Sequence, residues 1–335
     1  MRILYILGNG FDLSMGLDTS YKSFLNHYCS NHSPNPSNII KEFQGEIWQN
    51  IDTWANLEEH LGQWLDDKMY EDKAVCVYDD LIKELTLYMS QEQERLSFES
   101  KIQDTIKDCL INPQNSLSRV EDQASIETFI KQHNTTANVV NTITLNYTDT
   151  FERLLFPHSD ESNRIKYGPK PFTIEKPIHL HGTVDGGMVL GVNDANQIAN
   201  KKLLDDIRVK NRFIKPIALT NVHRNGFEKK AKDVITEAEL ICIYGTSFGK
   251  TDQRIWSKVM ERAINNKCRV ILFHYGKDVF IGNQRYQEVD YINEANQKFV
   301  STCGNKNGGP LSIPNTIMGE YNSPIFNLGA KVNPK

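Results

Sequence analysis

Strands buried on both faces of a parallel sheet appear in a sequence as short unbroken apolar runs stopped by glycine or polar residues. Four such runs stand out: Arg2 to Leu7, Val139 to Leu145, Leu240 to Tyr244 and Arg269 to His274. Shorter runs at Pro177 to Leu180, Met188 to Leu190 and Ile217 to Leu219 predict further strands. Elsewhere the apolar period lengthens to that of a helix. Phe227 to Ala238 sets Phe227, Ala231, Val234, Ile235 and Ala238 on one side, and Asp252 to Asn265 turns Ile255, Trp256, Val259, Met260, Ala263 and Ile264 inward. Strand, helix, strand at this spacing is the βαβ pattern of a parallel sheet.

The stretch from about Ser20 to His133 differs in character, being long, polar and helical in period. One stripe there runs through Trp54, Leu57, Leu61, Trp64 and Leu65, another through Val75, Tyr78, Leu81, Ile82, Leu85 and Tyr88. The pattern predicts an α/β fold: a Rossmann-like parallel sheet flanked by helices, formed by residues 1–19 and 138–335. Residues 20–137 are then a large helical insertion after the first strand, expected to cover the cleft. The tail after Gly276, rich in Asn, Gly and Pro, reads mostly as loop.

Bulk properties narrow the setting. A chain of 335 residues buries about 75% of its unfolded surface, so no disulfide or metal staple is required for stability. The mean hydropathy of −0.49 and the lack of a long apolar run argue against a membrane span. The apolar start, Met1 to Leu7, is too short for a secretion signal and leads straight into Gly8-Asn9-Gly10, which predicts a cytoplasmic protein. The six cysteines are scattered without a Cys-x-x-Cys pair, as expected of reduced thiols. A net charge of −4 gives no general attraction to nucleic acid, and Lys229, Lys230 and Lys232 read as the solvated face of one helix.

Ligands of open parallel sheets bind at the carboxyl ends of the strands, and four polar clusters fall at such ends. Gly8-Asn9-Gly10-Phe11-Asp12 follows the first strand; it reads either as a phosphate-approaching loop or as a tight turn with Asp12 capping a helix. Leu13 stands where a dinucleotide fingerprint has its third glycine. Thr144-Leu145-Asn146-Tyr147-Thr148-Asp149 leaves the second strand, as a ligand site or as a cap for the helix near Thr150. His179-Leu180-His181-Gly182-Thr183 sets two histidines two residues apart, which in a strand line one wall. Gly245-Thr246-Ser247-Phe248-Gly249-Lys250-Thr251-Asp252 joins a strand to a helix. Asp252 fits a helix start slightly better than a functional role.

In this order the clusters resemble the AbiH family of phage abortive-infection proteins. The resemblance rests on Gly-Asn-Gly-Phe-Asp, Asn-Tyr-Thr, His-Leu-His-Gly and Gly-x-Ser-x-x-x-x-Asp, joined by Trp54-x-x-Leu57-Glu58. The matches span Ile3 to Asp252, about three quarters of the chain. At greater distance the series is similar to the sirtuin (SIR2-like) fold. That likeness implies that Gly8, Asn9, Gly10 and Asp12, with Thr144, Gly245, Ser247 and Asp252, bind a nucleotide. It also implies that Asn146 and His181 carry the chemistry. Thr148 stands where sirtuin-like proteins have an aspartate, which makes the next residue, Asp149, a third catalytic candidate. The paired Cys-x-x-Cys zinc ribbon of deacetylating sirtuins is absent, so deacetylation is not expected.

The expected activity is cleavage of the N-glycosidic bond of NAD or a related nucleotide. NAD is then a substrate, and no bound cofactor or metal is expected. Nicotinamide leaves as a neutral molecule, so the part list needs only a ribose holder, a stabiliser of the oxocarbenium-like centre and a proton acceptor. The competing readings are a nuclease or phosphodiesterase with His179 and His181 as metal ligands, and a nucleotide sensor without turnover. The expected partners are a nucleotide, a phage-derived trigger or defence protein, and a second copy of the chain. Glu58 is expected at the surface, with a place beside His181 as the alternative.

Overall fold

The computed structural model describes residues 1–30, 37–97, 101–133, 137–156, 164–223, 226–275, 285–303, 314–323, 325–326 and 331–332. β1 (Arg2–Leu7) is followed by α1 (Gly10–Ser14), α2 (Tyr21–Ser30), α3 (Asn38–Gln49), α4 (Ile51–Trp54), α5 (Leu57–Trp64) and α6 (Glu71–Glu94). The two-residue strand β2 (Leu96–Ser97), α7 (Lys101–Ile111) and α8 (Val120–His133) lead to β3 (Asn138–Thr144) and α9 (Thr150–Leu155). The hairpin β4 (Arg164–Tyr167) and β5 (Phe172–Glu175) precedes β6 (Ile178–His179), β7 (Gly182–Thr183) and β8 (Gly187–Met188). The rest runs through α10 (Ile207–Phe213), α11 (Lys215–Ala218), α12 (Phe227–Glu237), β9 (Leu240–Tyr244), α13 (Gln253–Ile264), β10 (Arg269–His274), α14 (Arg285–Thr302), β11 (Ile317–Tyr321) and β12 (Lys331–Val332).

The central sheet has the order β11-β10-β9-β1-β3-β5-β4, with β6 paired to the end of β3. Every pairing in it is parallel except β4 with β5. Alternation along the strands divides two apolar cores between its faces. Ile3, Tyr5 and Leu7 point to the side covered by α7, α8 and α9. Leu4 and Ile6 point to the side covered by α12, α13 and α14. A third core holds both predicted stripes, with Trp54, Leu57, Leu61 and Leu65 packed among Tyr78, Leu81, Leu85 and Tyr88 and against Val209 and Phe213 of α10. No helix among the described residues is long and apolar enough to cross a membrane.

Several expectations are corrected. Ile217 to Leu219 is no strand: Pro216 stands in the first turn of α11, where a fixed φ and a missing N–H favour a helix start. Of Met188 to Leu190 only Met188 is a strand residue, in the small β7–β8 pair. The described part of the tail is not mostly loop, since α14 buries Phe299 and Val300 against the sheet and β11 extends it beside β10; for residues 277–284, 304–313, 324, 327–330 and 333–335 the expectation lies outside the described residues. The Trp54 stripe belongs to two helices, because the chain turns at Ala55 and Asn56 between α4 and α5.

Candidate functional site

Because β1, β3, β9 and β10 run parallel, the residues following them meet at one edge of the sheet. A cleft of about 630 Å³ opens there, lined at its floor by Gly8, Asn146, Gly245 and His274 and walled by Tyr21 and Glu58 of the helical segment. Its size lies within the range of small-molecule sites.

Two loops form the floor in close contact. The Gly10 N–H donates to the Gly245 carbonyl at 2.8 Å, and the Gly8 N–H to the Tyr244 carbonyl at 2.9 Å. A Cβ on Gly10 would lie 2.5 Å from the Gly245 Cα. These glycines therefore let two loops touch, and the two amides are spent on protein carbonyls. In the second loop Phe248 holds φ 53 while its buried ring packs on Trp256 and Phe299. That anchor fixes the path from Gly245 to Asp252.

Three residues that line the cleft carry buried polar atoms without a good hydrogen-bond partner among the described residues. Asp12 Oδ1, Asn146 Oδ1 and Thr246 Oγ1 are buried and find no hydrogen-bond partner of good geometry among the described residues, although the Asn146 side chain lies close enough to Asp12 to favour its ionised form. Buried acceptors in this state are rare and mark places where a ligand or water completes the bonding. Asp12 Oδ2 accepts from Thr148 Oγ1 at 2.5 Å. Burial pushes the Asp12 carboxyl up to about 6, against the pull of that hydroxyl.

The other wall carries a buried charge cluster. His181 Nε2 lies 2.8 Å from Asp252 Oδ1. Lys215 Nζ lies 3.1 Å from that same oxygen, 2.7 Å from Glu58 Oε2 and 3.4 Å from His181 Nε2. Tyr21 donates to Glu58 Oε1 at 3.3 Å, and its hydroxyl is 3.2 Å from that of Tyr147. Burial raises both phenols well above their ordinary value, and Glu58 adds to the effect, so both stay neutral. Burial alone would raise the Asp252 carboxyl, but Lys215 and then His181 hold it well below the usual range. Burial would likewise lower Lys215, and Asp252 and Glu58 outweigh it, so the amine stays charged. With Asp252 accepting from Nε2–H, a neutral ring would leave Nδ1 as its acceptor, whereas a protonated ring has none.

A family model of bacteriophage abortive infection AbiH proteins matches residues 4–274. The chain belongs to the AbiH family. Membership carries a role in the abortive infection of phage, and the matched span includes every residue of the cluster. No curated protein matches the chain.

Nine of the eleven site residues expected of this AbiH member line the cleft: Gly8, Asn9, Gly10, Asp12, Asn146, His181, Gly245, Ser247 and Asp252. Thr144 lies beneath it, where its hydroxyl accepts from the Asn146 N–H at 3.1 Å. Asp149 is turned away, with Arg153 Nε on its carboxylate at 2.6 Å. The two histidines do not share a wall, because the strand ends at His179 and the chain turns at Leu180 and His181, so that only His181 lines the cleft. His179 instead holds the Asn146 loop, with Nδ1 3.2 Å from the Asn146 carbonyl and Nε2 2.6 Å from Glu152. Burial opposes its charging, but Glu152 prevails and raises it.

Asp252 stands at the start of α13 as its N-cap residue, as the helix-start reading expected, but its side chain makes no cap bond and is instead spent on His181 and Lys215. Glu58 is not at the surface: it is buried at 8% exposure and joined to His181 through Lys215. Lys215, Tyr21, Tyr147 and Thr246 were not singled out as site residues from the sequence. The available signal for Lys215 was a lone cation inside Phe213-Ile214-Lys215-Pro216-Ile217-Ala218, which buries the amine and so requires counter-charges.

Proposed function

We propose that the chain serves abortive infection by hydrolysing the N-glycosidic bond of NAD or a related nucleotide in this cleft. The observation that supports the reading is the pair of buried acceptors without a good hydrogen-bond partner, Asp12 Oδ1 and Asn146 Oδ1, on residues that line the same cleft as His181. Breaking the bond leaves positive charge on the ribose carbon, and acceptors already stripped of partners stabilise that charge without reorganising. The electron pair of the C–N bond passes to the nitrogen of the leaving base, and nicotinamide departs neutral. A water oxygen bonds to the same carbon and gives its proton to His181 Nδ1, while Asp252 steadies the imidazole through Nε2.

In this reading the pyrophosphate is not cradled by the Gly8 and Gly10 amides, which are occupied. Lys298, and Lys250 at 3.9 Å from Glu59 Oε1, line the cleft and can supply its cations. The metal-dependent nuclease is less well supported, because His179 and His181 are drawn to separate carboxylates, Glu152 and Asp252.

The test is a metabolite profile of phage-infected cells carrying either the parent chain or His181→Ala, together with nicotinamide release by the purified proteins with and without chelator. The reading expects NAD loss and free nicotinamide with the parent, insensitivity to chelator, and neither change with the variant. Nucleotide binding without any released base would replace it with a sensor.

A further inference from the structure

We propose that Lys215 is a positioning residue that controls how strongly Asp252 acts on His181, and that Glu58 of the helical segment sets this control. The proposal rests on His181 being the working base of the cleft, but its test reads the imidazole directly and needs no turnover.

The geometry is that of a shared carboxylate. Asp252 Oδ1 receives His181 Nε2 at 2.8 Å and Lys215 Nζ at 3.1 Å. An unshared carboxylate at that distance favours the imidazolium, whereas an ammonium 3.4 Å from the same ring nitrogen disfavours it. Lys215 therefore keeps Asp252 ionised as an orienting acceptor while countering its pull toward a charged ring. A protonated ring has no free acceptor, so this balance decides whether Nδ1 can take a proton.

Glu58 completes the balance from another part of the chain. Its Oε2 holds Lys215 Nζ at 2.7 Å, in competition with Asp252. Backbone geometry fixes the other end, since the Lys215 N–H donates to the Val192 carbonyl at 2.9 Å. Among the described residues, the charged groups recorded around His181 are Asp252, Lys215 and, through Lys215, Glu58. The phenols of Tyr147, whose ring centroid is 6.3 Å from that of His181, and Tyr21 remain neutral. Lys215 is no candidate nucleophile, because its amine stays protonated.

The two ends of the balance make opposite predictions. In Glu58→Gln the ammonium is freed from its rival carboxylate and leans on Asp252 and His181, so the midpoint of the His181 titration falls. In Glu58→Gln/Lys215→Met the cluster keeps its net charge, but Asp252 faces His181 alone and the midpoint rises. The double variant is preferred because Lys215→Met by itself leaves two buried carboxylates together and endangers folding. Each displacement is expected to be about one pH unit or more, roughly tenfold in proton affinity.

The experiment is an NMR titration of histidine-labelled protein, with the His181 resonance assigned from His181→Ala and folding checked by thermal melting. Opposite displacements in the two folded variants support the proposal. Displacements in the same direction, or none, overturn it, since a merely structural Lys215 has no reason to move the midpoint both ways. Failure of nicotinamide release in the parent would remove the hydrolytic reading and leave this result standing or falling by itself.

Discussion

Replacing Gly245 with alanine separates a glycine kept for a ligand from one kept for the fold. Gly245 has φ 69, and an L residue held in that region costs about 1–2 kcal/mol. The added Cβ would stand 2.7 Å from both the Gly10 Cα and the Phe11 nitrogen. Neither atom can retreat easily, because Gly10 is hydrogen-bonded to Gly245 and the Phe11 ring is packed on Phe151 and Phe326. Overpacking of this kind costs about 1–3 kcal/mol, so the expected loss is about 2–5 kcal/mol from a total of roughly 5–15. The melting temperature should fall by roughly 5–15 °C. Gly249→Ala is the control in the same loop, since its φ is −63 and its Cβ would meet nothing nearer than 3.5 Å. Thermal melting of both variants, followed by nucleotide titration of the folded fraction, decides the matter. A Gly245→Ala protein that melts like the parent, or a Gly249→Ala protein that loses more, would refute the loop-contact argument.

Asp12→Asn should stabilise the protein at pH 8 and lose that advantage toward pH 4. The folded carboxyl titrates at about 6, above its ordinary 3.8, so the ionised form costs stability above pH 6 and the cost is relieved as pH falls. A rise of about two units corresponds to about 3 kcal/mol at most, and melting curves at both pH values would show a constant difference if the argument fails. Asn146→Ala should cut turnover at least tenfold while changing stability by less than about 1 kcal/mol, because its Oδ1 has no partner to lose among the described residues. A stable, fully active variant would remove Asn146 from the chemistry.

What the chain disclosed before folding follows from how each element is buried. β9 and β10 are legible to the residue because they lie inside the sheet with both faces covered, so nearly every position is apolar. The β4–β5 hairpin left no comparable run: β4 alternates between exposed and half-buried positions, and β5 between buried and half-buried ones. α14 was hidden by its surroundings, since Ile292, Phe299 and Val300 are spaced too sparsely among polar residues to outweigh the Asn- and Gly-rich flanks. The His179–His181 pair shows a different limit. Two residues apart share a face only while the strand lasts, and this strand stops between them.

The charge cluster was harder to read because its partners are remote along the chain. Lys215 meets Glu58 across 157 positions and Asp252 across 37, and no local period connects them. Glu58 does fall at helical spacing between Trp54 and Leu61, a position that points inward, but the break at Ala55 and Asn56 makes that spacing count across two helices rather than along one. What the sequence does contain is a demand: a lysine among Phe213, Ile214 and Ile217 is either expelled or paired. Asp252 and Glu58 both answer it, one from the start of α13 after β9 and one from the helical segment. The environment of His181 therefore depends on docking α5 against the loop after β9, and a chain in which that docking is loosened would keep its sheet while losing the balance at the imidazole.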